Sequence, residues 1–246
     1  MSSKPFAVIA GVGPGTAAFV ARRFAKAYPV VLLARNPDNF EPLVQEIKGD
    51  GGEALGISTD VSDEESVKAA FESIAKTYSG PCAAAIFNAS GGFSRKPFLE
   101  TQLSDLDTAL GVTVKGAYIF SQASIPLLLK HAEDPSAEHP PTIIFTGATA
   151  SVKANAQMTT FAAPKWALRA MTISLAKEFA PRGIHVAHAI IDGVIDIPKY
   201  QERLKDFSPE ARVGPEEIAK TYWDLHTQGR RGFTNEVDIR PMLEKW

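Results

Sequence analysis

Short, wholly apolar runs recur along this chain, and each is followed by a longer amphipathic stretch. Residues 6–10 (Phe-Ala-Val-Ile-Ala), 30–34 (Val-Val-Leu-Leu-Ala) and 82–87 (Cys-Ala-Ala-Ala-Ile-Phe) show no polar alternation. A strand with water on one face alternates polar and apolar side chains. A run without that alternation is covered on both faces, as in a parallel sheet between helix layers. The pattern predicts strands over 6–10, 30–34, 53–58, 82–87, 142–145, 185–191 and 233–239. It predicts helices over 16–28, 39–48, 64–78, 103–129, 158–179 and 215–225. Regular alternation of strand and helix implies right-handed crossovers and a doubly wound α/β sheet with helices on both faces. No repeat or linker interrupts it, so one domain is expected over 1–246. The polar, proline-rich stretch 131–141 reads as a surface loop.

Composition narrows the partners. Hydrophobic residues make up 45% and charged residues 22%, with a formal net charge of −2. No basic excess exists to neutralise a run of phosphates, so nucleic acid is not an expected partner. The single cysteine, Cys82, rules out an intrachain disulfide and suits a reducing compartment. Residues 1–5 show no signal-peptide pattern, Glu244-Lys245-Trp246 matches no targeting signal, and no apolar stretch looks long enough to span a bilayer. A cytoplasmic protein with no membrane partner is the expectation. No metal-ligand cluster is apparent; His185 and His188 read as structural, and Cys82 as an inert core thiol.

The chemistry begins at Gly11-Val12-Gly13-Pro14-Gly15-Thr16-Ala17, between the first strand and the first helix. Glycines there let the backbone approach a pyrophosphate, and the helix N-terminus offers unpaired N–H donors and a positive dipole. A tight strand-to-helix turn needs no more than this, but the flanking elements favour a dinucleotide site. The second strand ends in Arg35-Asn36. An acid at this point suits the ribose hydroxyls of NAD, whereas an arginine suits a 2′-phosphate. Arg35, with Asn36 adding a hydrogen bond, therefore points to NADPH/NADP+.

Gly11, Gly15 and Ala17, in a Gly-x-x-x-Gly-x-Ala pattern, resemble the phosphate loop of the short-chain dehydrogenase/reductase family, which usually has a third glycine where Ala17 stands. Asp60-Val61 is similar to the family's adenine-binding aspartate segment, and Asn88-Ala89-Ser90-Gly91 to its Asn-Ala-Gly segment. Lys165 matches its helix lysine, and Asp192-Gly193-Val194 its Pro-Gly segment after the sixth strand. The resemblance runs over the whole chain. It implies a Rossmann-type fold, nicotinamide nucleotide bound by these residues, Lys165 on the nicotinamide ribose and Val194 near the nicotinamide. It also implies a homodimer or homotetramer that pairs the 103–129 and 158–179 helices, and a substrate lid over about 195–215.

The same resemblance exposes departures. Family members carry Tyr-x-x-x-Lys, in which the tyrosine protonates the carbonyl oxygen. Here the segment is Phe161-Ala162-Ala163-Pro164-Lys165, and phenylalanine has no proton to give. Ala148 falls where the family's serine stands, with Thr146 and Thr149 nearby, and Thr113 falls at its asparagine. Hydride transfer itself does not need the tyrosine. The resulting expectation is an NADPH-dependent oxidoreductase acting on an imine, iminium or activated carbonyl of a small molecule. Thr149, Tyr200, Asp196 or a water on Lys165 is a candidate proton source. Phe93, Thr146, Met158 and Phe161 are candidates to line the substrate pocket, while Trp166 reads as core. Arg95 and Lys96 read first as a solvated loop pair, and second as a greeting for an anionic substrate. A non-redox cyclase or isomerase, or an NADPH sensor, stays open as the alternative.

Overall fold

A computed structural model of the chain describes residues 3–244; Lys245 and Trp246, part of the C-terminal tripeptide read above, lie outside them. Seven strands form one sheet: β1 (Phe6–Ala10), β2 (Val30–Ala34), β3 (Ala54–Ser58), β4 (Cys82–Phe87), β5 (Thr142–Thr146), β6 (His185–Ile191) and β7 (Glu236–Ile239). Their spatial order is β3-β2-β1-β4-β5-β6-β7, and every pairing is parallel. The fold is therefore Rossmann-type. β1, β2, β4, β5 and β6 are buried along their whole length, which is why their sequences lack polar alternation.

Two apolar layers flank the sheet. On one face α1 (Thr16–Phe24), α2 (Glu41–Gly49) and α8 (Pro215–His226) cover Ile9, Leu32 and Ala187. On the other, α3 (Glu64–Thr77), α5 (Gly116–Ala132) and α6 (Thr159–Phe179) cover Val8, Phe87 and Phe145. α1 stops at Phe24 rather than at residue 28, and residues 25–28 turn into Pro29. β7 starts at Glu236 rather than at 233. Phe233 instead stacks on His185 at 4.4 Å, and the Thr234 N–H donates to Gln228 Oε1 at 2.8 Å.

The helix expected over 103–129 consists of α4 (Leu103–Leu110), a π turn (Gly111–Lys115) and α5, running on to Ala132. This corrects the reading of the apolar stretches. Leu103–Ala132 is long and apolar enough to cross a bilayer. Half of its most apolar stretch is buried, and α5 packs on β4 and α3 as a core helix does. The surface-loop reading of 131–141 also needs correction at its start, since His131 is buried at the end of α5.

Residues 195–215 form a compact excursion. It holds a 3₁₀ turn (Pro198–Tyr200), the single-turn α7 (Gln201–Leu204) and a second 3₁₀ turn (Pro209–Ala211). Its base is tied by backbone bonds from Val213 N to Val194 O at 3.0 Å and from Asp196 N to Val213 O at 2.9 Å. Leu204 anchors it in the core.

Candidate active site

Strand order reverses between β1 and β4, where the C-terminal ends of neighbouring strands send their loops apart and leave a crevice. A cleft of about 1180 Å³ opens there. Gly11 forms its floor at a φ of +83°, a conformation that favours glycine. A Cβ at Gly11 would lie 2.4 Å from the Ala89 nitrogen, so the loops after β1 and β4 meet backbone to backbone. Asn88 Nδ2 donates to Gly11 O at 3.2 Å and holds that contact. A Cβ at Gly13 would meet nothing within 4 Å. Gly15 precedes α1, and no side chain caps the helix. Its first N–H groups and dipole are therefore left for an anion. Gly11 and Thr16 form part of the cleft wall, whereas Gly13 and Gly15 do not. Ile197 from the 195–215 excursion lies over Gly15, 3.2 Å from where a Cβ would stand.

Arg35, Asn36, Asp60, Val61 and Ala89 line one end of the cleft. Arg35 is exposed. Asn36 is committed locally: its Oδ1 accepts the Asp38 N–H at 3.1 Å and its Nδ2 donates to Asp38 Oδ2 at 3.2 Å. It caps the turn at Pro37–Asn39. Asp60 Oδ1 accepts the Ser62 hydroxyl at 2.6 Å and the Ser62 N–H at 2.9 Å. These bonds, with a smaller contribution from the Arg35 charge, hold the Asp60 carboxyl below its usual range.

At the other end stand Phe93, Met158, Phe161, Lys165, Thr149, Gly193, Val194 and Tyr200. Phe161 and Lys165 lie one turn apart on α6. The Phe161 ring meets Phe93 edge-on at 5.3 Å between centroids. Lys165 is buried and its Nζ donates to Thr146 O at 2.8 Å. Among the described residues no carboxylate pairs with it, and burial pushes its ammonium down to about 8. Two hydroxyls near the lysine are already engaged. Thr146 Oγ1 pairs with the Tyr222 hydroxyl at 2.8 Å, away from the cleft. Thr149 Oγ1 donates to Asp192 Oδ1 at 2.5 Å, and Asp192 Oδ2 pairs with Arg240 at 2.7 Å. A hydroxyl has one proton, so Thr149 presents only lone pairs to the cleft.

Other sequence candidates fall elsewhere. Asp196 is absent from the cleft wall; it accepts from Gln201 at 2.8 Å and pairs with Arg212 at 3.2 Å, bracing the 195–215 excursion. Thr113 is buried in the π turn and accepts the Gly91 N–H at 3.2 Å. Trp166, read as core, is 44% exposed on α6 because its position faces away from the sheet; the Arg169 guanidinium sits 5.9 Å from its ring. Lys96 pairs with Asp105 at 3.6 Å. His185 bonds the Leu225 and Thr234 carbonyls, both at 2.9 Å. Cys82 is buried, which pushes its thiol up. Among the described residues no His/Cys/Asp/Glu group could hold a metal ion.

Three features of the site have no local signal in the sequence. Ile197 covers Gly15, and Arg240 reaches Asp192 from beyond β7. Gly147 is required because a Cβ there would stand 2.4 Å from His188 Nε2.

The fold and this cleft define a Rossmann-type α/β protein with an open crevice at its switch point, and comparison with known proteins fixes the family. Residues 5–206 match the short chain dehydrogenase family model. Carbonyl reductase family member 4 of Danio rerio is 32% identical over 178 residues, 72% of this chain and 68% of that protein. A short-chain dehydrogenase from Rhodopseudomonas palustris is 31% identical, with a TM-score of 0.77 over 96% of this chain and 98% of that one. A metagenomic short-chain oxidoreductase, solved with NADP, shares the fold at 23% identity, with a TM-score of 0.80 over 99% of each chain. This chain belongs to the short-chain dehydrogenase family, a family of oxidoreductases.

Proposed function

We propose that this chain is an NADPH-dependent reductase whose site lacks the family's tyrosine acid, and that it acts on a C=N bond or an activated carbonyl. The observation that carries this reading is the surroundings of Lys165. Its ammonium is buried in the cleft wall, bonded to a backbone carbonyl, with a phenylalanine one turn before it.

The residues present suit a dinucleotide. The open space at Gly13, the uncapped start of α1 and the tight Gly11–Ala89 contact make a cradle for a pyrophosphate. Arg35 would take the 2′-phosphate, Asp60 and Val61 the adenine, and Asn88, Ala89, Gly193 and Val194 the nicotinamide half. Lys165 would hold the ribose beside the nicotinamide. When bound, the nicotinamide supplies hydride. The NADP in the metagenomic relative supports a nicotinamide nucleotide here; the preference for NADPH rests on Arg35.

Thr149 favours a substrate that brings its own proton. With its hydrogen given to Asp192, its oxygen accepts a hydrogen bond, as an iminium N–H would supply. A neutral ketone needs a donor at that place. Tyr200, on the lid and in the cleft wall, is a candidate to supply one when the substrate requires it. The exposed Tyr118, Trp166 and Ile173 on α5 and α6 support pairing of two copies through these helices.

The test is titration with NADPH and NADH, followed by deuteride transfer from labelled NADPH to cyclic imines and activated enones. Micromolar NADPH binding, NADH at least tenfold weaker, and deuterium in the product are expected. Binding without transfer would point to the non-redox alternative, and no binding of either nucleotide would refute the reading.

A further inference from the structure

Four cations of the cleft wall have no role in the nucleotide assignment. The chain as a whole has a formal net charge of −2, so their gathering is local. Arg35 stands at the end assigned to the 2′-phosphate. Lys165 is bonded to a carbonyl, and Arg240 is paired with Asp192 and Asp238. Arg95, Lys153, Lys199 and Arg203 also line the cleft. Among the described residues none of these four forms an ion pair with a carboxylate. The acids of the same wall are Asp60, Asp192 and Glu244. Asp60 is held by Ser62, and Asp192 by Arg240.

Arg95 and Lys153 come from different loops, and the fold ties those loops together. The Lys96 N–H donates to Gln157 O at 2.9 Å, joining the segment after β4 to the segment after β5. Gln157 adopts a φ of +67°, and it is the sole positive-φ residue other than glycine among the described residues. A left-handed non-glycine backbone is costly and persists where the surroundings enforce it. The Phe93–Phe161 contact fastens the same rim from inside. The sequence pair Arg95-Lys96 is thus divided: Lys96 turns to Asp105, and Arg95 lines the cleft. Phe93, Met158 and Phe161 line the same cavity as Arg95 and Lys153, and Lys199 and Arg203 from the 195–215 segment line it too.

We propose that the substrate carries an anionic group, a carboxylate, sulfonate or phosphate ester, on an apolar or aromatic body. Arg95 and Lys153 receive the anion while Phe93, Met158 and Phe161 take the body; Lys199 and Arg203 add charge from the lid. This rests on the assignment of the opposite end to a nicotinamide nucleotide. Each cation is exposed and screened, so no single pair dominates. Like charges lining a concave cleft act together, through field focusing.

The probe pair is 1-anilinonaphthalene-8-sulfonate and its neutral parent, N-phenyl-1-naphthylamine. Each is titrated by fluorescence into protein saturated with NADP+, and into nucleotide-free protein. One sulfonate site is expected, about tenfold tighter than the neutral dye and weakened by salt. The double variant Arg95→Gln/Lys153→Gln should erase that preference and leave neutral-dye and NADPH affinities unchanged. If this variant loses its fold by circular dichroism, Lys199→Gln/Arg203→Gln is read instead, with a smaller loss in the same direction. Equal affinity for the two dyes, or a preference that survives both variants, would overturn the proposal. Absence of NADPH binding to the unaltered protein, with a sulfonate preference that the variant erases, would refute the nucleotide reading while still supporting the anion subsite.

Discussion

Replacing Lys165 with methionine gives a sharp test of how the site is built. The ammonium is buried without a counter-ion, and its pKa is pushed from 10.5 down to about 8. Between those values the unfolded chain holds a proton that the folded protein has released. Stability therefore rises with pH across this window, and below about pH 8 the folded protein bears the full cost of a buried charge. At 1.36 kcal/mol per unit, the whole depression corresponds to about 3 kcal/mol. Between pH 7 and pH 9.5 the lysine protein should gain about 2 kcal/mol relative to Lys165→Met. Loss of the bond to Thr146 O subtracts about 1 kcal/mol from the methionine variant, largely independently of pH. The pH dependence of the difference, not its size at one pH, is thus the readout. Denaturant unfolding of both nucleotide-free proteins at half-unit intervals measures it. A difference that stays flat from pH 7 to 9.5 would refute the claim that Lys165 is an uncompensated buried ammonium.

Two further substitutions probe the cleft. Gly11→Ala sets a methyl 2.4 Å from the Ala89 nitrogen at a φ of +83°. The combined strain and overpacking of about 2–4 kcal/mol should lower the melting temperature by roughly 5–15 °C and weaken NADPH binding; scanning calorimetry with and without nucleotide checks this, and an unchanged melting temperature would contradict the observed loop contact. Phe161→Tyr sets a phenol one turn before Lys165, against Phe93. Reduction of a neutral ketone should rise about 10²–10⁴-fold in kcat/KM, and no rise would mean that the ring at this position does not face the reacting carbon.

What could be read in advance follows from how local each signal is. β1, β2, β4 and β6 have the bounds expected from sequence, because a run buried on both faces declares itself residue by residue. The π turn at Gly111–Lys115 interrupts an apolar helix without any change in its pattern, so nothing in Gly-Val-Thr-Val-Lys marks it. Gly11, Arg35, Asp60, Asn88 and Lys165 gather in one cleft; the first four follow the ends of parallel strands, which the topology alone brings to one edge. The hydroxyls were legible as residues but not as donors. Thr146 turns to a tyrosine 76 residues away, and Thr149 to an aspartate 43 residues away. That aspartate is itself held by Arg240, from beyond the last strand. Only the assembled fold reveals that Thr146 and Thr149, which share the cleft wall with Lys165, are committed elsewhere. The character of the site therefore comes from partners brought in over long sequence separations. With Phe161 unable to donate and Thr149 turned into an acceptor, the proton chemistry of this wall is set by contacts that the sequence does not announce.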